Sequence, residues 1–309
     1  MEVFAYNQKA YYTEALHLID DTTANAAARP LTAEDGFPRP DSKPWRRYCP
    51  VASRGGLLLN YMIDQRYQEL RVCDLATGRS QTLPPEPTFV EAARDQWEPY
   101  VLLVDDSNGG GGTGIDRPFQ VLATNLEFEN HRCYLEIQTF SSEERRWGPY
   151  TKIRTPDLHG NGLVQVGSRP LVVDGAVHWL CLTDEANYIL KLHICSAQVN
   201  VMELPASFPR SRWKTECLLA TTSPDGNLMV LVADSEKIST WIQKKCTSKW
   251  KQQPQVVIKI EANPYVSEQM QREPPGTIKV QLHWFAERSG IVLISVSAYT
   301  GWISGPWRL

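Results

Sequence analysis

A phrase that recurs from Gly56 onward limits most strongly what this chain can fold into: an apolar strand, a polar turn, an alternating strand, a second turn, and a close on Leu-Pro or Trp. The first copy runs from Gly56 to Pro85, with strands at Leu57 to Asn60 and Leu70 to Asp74 and a turn at Ala76-Thr77-Gly78. The second spans Phe119 to Pro149 and turns at Ser141 to Glu144; the third spans Val172 to Pro205, the fourth Leu218 to Trp250, and a partial fifth Ile278 to Trp302. With Leu83, Trp147, Leu204 and Trp250 as register marks, the intervals are 64, 57 and 46 residues. A drifting period near that of kelch repeats, which is about 50 residues, is what propeller blades show when their loops vary in length. One such sheet cannot bury both its faces alone, so neighbours must pack face to face. The expectation is an all-β, propeller-like fold of about five (four to six) blades of antiparallel strands, with a β-sandwich of unequal hairpins as the alternative.

Composition supports short strands and tight turns over long helices, since 10 Trp, 12 Tyr and 8 Phe accompany 21 Pro and 19 Gly. Residues 1 to 45 differ: after an apolar stretch at Ala15 to Ile19 they are rich in Ala, Pro, Asp and Thr without periodicity, and are read as a weakly ordered or extended leader. Residues 46–309 are read as the propeller, incomplete at the end formed by SVSAYTGWISGPWRL.

A formal net charge of −3 gives no electrostatic case for nucleic acid or an anionic membrane. The seven cysteines (Cys49, Cys73, Cys133, Cys181, Cys195, Cys217, Cys246) stand singly, without a CxxC pair, and are read as reduced core thiols. There is no signal-peptide pattern at the start and no apolar run near the ~20 residues of a spanning helix, so the expected location is cytoplasmic or nuclear.

The repeats resemble the propeller-like region that follows the F-box in plant, particularly grass, F-box proteins, a kelch-like family. The resemblance is carried by GLLL and LRVCDLATGRSQTLPP within Gly56 to Pro85, by FQVL with YLEIQTFSSEERRWGP, by VVDGAVHWLCL with YILKLHI and VMELP, and by SPDGNLMVLVADSEKISTW from Ser223 to Trp241. It implies a substrate-binding adaptor, in which an F-box docks on the Skp-type subunit of a cullin-based ubiquitin ligase while the propeller holds a target protein. Residues 1 to 55 carry no Leu-Pro-x-x-Leu-type opening, so a Skp-type partner is expected only with an F-box upstream.

Motifs with chemical meaning favour bland readings. Gly109 to Gly114 satisfies GxGxxG after the apolar strand Tyr100 to Val104, but Pro118 and another strand follow where a phosphate loop needs a helix. The six histidines (His17, His131, His159, His178, His193, His283) show no ligand spacing, and His178-Trp179 and His283-Trp284 look like repeat structure. Asp105, Asp106, Asp174 and Asp225 adjoin turn residues, where Asp is favoured for capping. Lys244, Lys245, Lys249 and Lys251 around Trp241 and Trp250 suit either single-stranded nucleic acid or a solvated hairpin, and the hairpin is preferred.

The sequence therefore points to a non-enzymatic protein-interaction module with an unidentified target protein, no cofactor, no metal, and no catalytic residue. Binding is expected on loops at one end of the sheets: Asn108 to Asp116, Thr183 to Asn187 and Asn263 to Pro275. The alternatives are a propeller enzyme, either glycoside hydrolase or oxidase, and a truncated relative without function.

Overall fold

The structure, a computed structural model, describes residues 47–63, 68–74, 77–85, 100–104, 114–129, 132–159, 170–183, 185–208, 217–223, 225–234, 237–244 and 249–253, together with isolated positions and the further strands given below. By internal packing the chain divides into two units, Met1–Arg154 and Thr155–Leu309.

In the first unit, β1 (Glu2–Tyr6), β2 (Ala15–Ile19) and β3 (Ala28–Pro30) form a three-stranded antiparallel sheet, within the segment that the sequence suggests is a leader. Next comes β4 (Arg47–Arg54), β5 (Leu57–Ile63), β6 (Gln68–Asp74) and β7 (Ser80–Thr82), a meander in that order. A third sheet follows, with β8 (Tyr100–Val104), β9 (Phe119–Glu129) and β10 (Arg132–Ser141) in order, and both β11 (Arg146–Trp147) and β12 (Thr151–Arg154) paired with β10.

The second unit repeats the plan. Its first sheet holds β13 (Gln165–Val166), β14 (Leu171–Val173), β15 (Ala176–Leu182), β16 (Asn187–His193) and β17 (Gln198–Glu203), with β13 and β14 both on β15. Its second holds β18 (Leu218–Thr222), β19 (Leu228–Asp234), β20 (Lys237–Gln243), β21 (Trp250–Gln252) and β22 (Val256–Val257), the last two on β20. The last is β23 (Lys279–Ala286), β24 (Ile291–Ala298) and β25 (Gly301–Arg308). The C-terminal GWISGPWR is a strand, paired with β24 from Ile291↔Arg308 to Ala298↔Gly301.

Turn chemistry explains the hairpins. β4 and β5 are joined through Gly55 and Gly56, both at positive φ (58° and 82°), the primed turn whose twist matches its strands. At Gly55 a Cβ would also lie 3.1 Å from Arg117 and 3.3 Å from Val104, so the position requires glycine on two counts. Asp174 (φ 49°) and Gly175 (φ 70°) make the same turn between β14 and β15.

Packing follows the period of two along each strand. Leu57, Leu59 and Tyr61 of β5 and Leu70 and Val72 of β6 share one core with Tyr100, Leu102 and Val104 of β8 and Phe119, Val121 and Phe140 of the same sheet. In the second unit Leu180, Leu182 and Ile189 meet Leu218, Val230, Val232 and Trp241 in the same way. β8, β15 and β18 are buried at every residue, as strands covered on both faces must be. Within each unit strands from the start of successive sheets lie side by side, β4 against β8 and β14 against β18. The fold class is all-β and propeller-like. Among the described residues four sheets carry four or five strands, within the expected range of blades.

Candidate functional site: a groove beside a free sheet edge

One turn recurs between the third strand of a sheet and its last. Asp74 pairs across it with Arg79, Ser141 with Arg146 and His193 with Gln198, leaving four residues between in each case. The last of the four is left-handed in all three: Gly78 (φ 70°), Arg145 (φ 54°) and Ala197 (φ 51°). Two of these turns face each other in the first unit and build the site.

The Asp74 carboxylate, 2% exposed, organises one wall. Its Oδ2 accepts from the Thr77 hydroxyl at 2.6 Å, closing the turn, and from the amide of Ile115 at 3.3 Å. The second bond fastens a 3-10 turn, Gly114–Asp116, from the neighbouring sheet. Asp116 then pairs with Arg79 at 2.6 Å in an exposed bridge, both side chains being more than half accessible. The opposite wall is the β10–β11 turn, held because the Ser142 hydroxyl accepts from the Phe119 amide at 2.9 Å and the Ser142 amide donates to the Phe119 carbonyl at 3.0 Å.

Between the walls lies a groove of ≈ 540 Å³. Leu83, Phe140 and Ile115 give it an apolar floor, β7 runs along one side, and Arg79, Asp116 and Arg145 supply the charges. Phe140 is fully buried, packed edge-on against Trp147 with ring centres 5.7 Å apart. The Trp147 indole N–H reaches the Pro84 carbonyl at 3.4 Å, joining the closing residues of the two sheets.

The loops proposed from sequence fare differently. Ile115 and Asp116 of Asn108 to Asp116 line the groove, while 108–113, including Gly109 to Thr113 of the GxGxxG run, lie outside the described residues, as do Asp105 and Asp106. In Thr183 to Asn187 the two end residues are buried and Glu185 is exposed, with position 184 outside the described residues; the Thr183 hydroxyl donates to the His159 carbonyl at 2.8 Å and accepts from the Ala186 amide at 3.0 Å. Asn263 to Pro275 lies outside the described residues. Sequence reasoning missed Ser80 to Pro84, Phe140 and Arg145 as a joint surface. The clues were the LPP close and a four-charge turn, EERR, at Glu143 to Arg146.

Other candidates resolve into structure. Trp241 is buried in the core with Phe208, ring centres 5.6 Å apart, and the partly buried Trp250 packs against that core. Lys244, Lys249 and Lys251 are exposed beside them; Lys245 lies outside the described residues. Asp174 and Asp225 sit in hairpin turns. His178 is buried in β15, and burial foremost, then the Lys191 charge, brings its imidazole down to about 4. On the outer face of β10, the buried Glu136 accepts from Asn125 at 2.8 Å and from the Tyr150 hydroxyl. Desolvation and then that carboxylate push the Tyr150 phenol up to about 12. Among the described residues no three His, Cys, Asp or Glu side chains gather as metal ligands, and no helix is long and apolar enough to cross a membrane.

Comparison with known proteins gives one family. Residues 19–302 match the model of a domain of unknown function, DUF7595, and the chain belongs to that family. No curated protein matches the sequence. Among solved structures, a protein from Lactobacillus plantarum is similar at 13% identity, with 98% of this chain and 76% of that one covered and a TM-score of 0.44. TolB from Acinetobacter baumannii is similar at 13% identity over 95% of this chain and 60% of its own, TM-score 0.43. The α-L-arabinofuranosidase Arb93A from Fusarium graminearum is similar at 10% identity over 86% and 82%, TM-score 0.41.

Proposed function

We propose that this protein is a non-enzymatic interaction module, working in the cytoplasm or nucleus, that holds a target protein in the groove between β7 and the β10–β11 turn. The observation that carries this reading is the groove's construction: an apolar floor with guanidinium groups at its rim, on two sheets that share one core. Rigid apolar anchors surrounded by a polar rim are the anatomy of a protein-binding surface. The phrases shared with the post-F-box region of grass F-box proteins extend the proposal: joined to an F-box, the module would be the target-holding half of a ubiquitin ligase adaptor.

The test is affinity capture from native tissue with the full chain and with the double variant Arg79→Gln, Arg145→Asn, chosen because Asn tolerates the left-handed backbone at 145. Specific proteins retained by the wild type and lost by the variant support the reading. Unchanged recovery rejects it.

A further inference from the structure

The outer side of β7 is a sheet edge on which no described strand pairs, and β7 lines the groove. Hydrogen bonds link the Asp74 amide to the Arg79 carbonyl at 2.8 Å and the Leu83 amide to the Leu70 carbonyl at 2.9 Å, while the ladder pairs Val72 with Gln81 and Cys73 with Ser80. In an antiparallel ladder the bonded pairs alternate. Arg79, Gln81 and Leu83 therefore face β6, and the amides and carbonyls of Ser80 and Thr82 face outward. β7 ends its sheet, and among the described residues no strand pairs with that outer side. Within Ser80 to Thr82 neither proline nor a bulge interrupts the edge, and its protection is limited to the strand's shortness and the prolines that follow at 84 and 85.

Charge selects what could lie there. Arg79 is matched by Asp116, and Glu144 is taken by Arg146 at 2.9 Å. The Arg145 side chain has no carboxylate partner among the described residues, yet it lines the groove opposite the edge. Among the described residues the groove thus carries one positive charge without a carboxylate partner, beside two outward amides and two outward carbonyls.

We propose that an extended peptide bearing an acidic side chain pairs as a fifth strand on β7 and places its carboxylate on Arg145. This rests on the interaction reading above and supplies its chemistry. Main-chain bonds to Ser80 and Thr82 hold the segment, as in other strand-addition complexes, and the carboxylate fixes its register.

The test uses the full chain and fluorescein-labelled acetyl-TVEVT-amide, read by fluorescence polarisation, with acetyl-TVKVT-amide as the charge control. The Ser80→Pro variant removes an outward amide without touching the β6 ladder, and Arg145→Asn removes the cation. The acidic peptide should bind saturably, about tenfold more tightly than the lysine peptide, and each variant should weaken it about three- to tenfold. Thermal melting checks that Ser80→Pro folds, and Arg145→Asn carries the test alone if it does not. The proposal is overturned if the acidic peptide fails to bind, or if it binds the folded variants as it binds the wild type. Should the double variant at 79 and 145 keep its captured partner, the interaction reading itself falls. If that variant loses the partner while Ser80→Pro keeps both partner and peptide, the reading stands and edge pairing falls.

Discussion

Arg145 holds in one sheet the place that Gly78 holds in the sheet before it. Each closes a four-residue turn in the left-handed region, and each donates its amide to the carbonyl four residues back, Gly78 to Asp74 at 2.9 Å and Arg145 to Ser141 at 2.8 Å. A side chain costs about 1–2 kcal/mol in that region, and glycine's extra freedom in the unfolded chain returns part of it. Arg145→Gly and Ala197→Gly should each stabilise the protein by up to about 1 kcal/mol, and Gly78→Ala should destabilise it by about 1 kcal/mol. Urea midpoints at neutral pH measure all three; a loss of stability in both glycine variants would contradict the shared turn.

Asp74 joins a turn of one sheet to the 3-10 turn of the next, so its removal should be felt in both. Asp74→Ala leaves the Ile115 amide and the Thr77 hydroxyl without their acceptor and should cost about 1–3 kcal/mol. Asp74→Asn, which keeps one acceptor oxygen, should cost less. Equal midpoints for wild type and Asp74→Ala would show that the carboxylate ties nothing together.

His178 sets a pH dependence whose sign is fixed. Its native imidazole titrates at about 4 against an ordinary value of 6.5, so between those values the unfolded chain binds the proton that the native chain refuses. Stability is therefore present above pH 6.5 and lost as pH falls toward 4, by up to about 3 kcal/mol. His178→Gln should flatten that part of the stability profile measured by urea unfolding from pH 7 to 4.5. An unchanged profile would place the acid sensitivity elsewhere.

The two cores should respond alike to cavities, since Leu59 and Leu180 are both fully buried between sheets. Leu59→Ala and Leu180→Ala should each cost about 2–5 kcal/mol. A loss below about 1 kcal/mol at either site would mean that the facing sheets are not packed there.

Much of this architecture was legible because burial on one or both faces writes itself into a strand at short range. Leu83, Trp147, Leu204 and Trp250 all fall in or just after the closing strand of their sheets. β4 was harder to read, since Pro50 and a register shift between Pro50 and Ala52 break its alternation. The groove was illegible for another reason. Arg79 and Asp116 are 37 residues apart and meet only because two sheets pack face to face, and the four-charge turn at Glu143 to Arg146 does not by itself tell Arg145 from Arg146. In Thr183 to Asn187 the Thr183 hydroxyl closes on the His159 carbonyl, a contact 24 residues away that the local sequence does not announce.

Amide exchange at single-residue resolution across Arg79 to Leu83, with and without the acidic peptide, tests the central claim most directly. In the free protein Ser80 and Thr82 should exchange quickly beside protected Gln81 and Leu83, and the peptide should slow the first pair selectively. Protection of Ser80 and Thr82 before any peptide is added, or exchange that the peptide leaves unaltered, would contradict it.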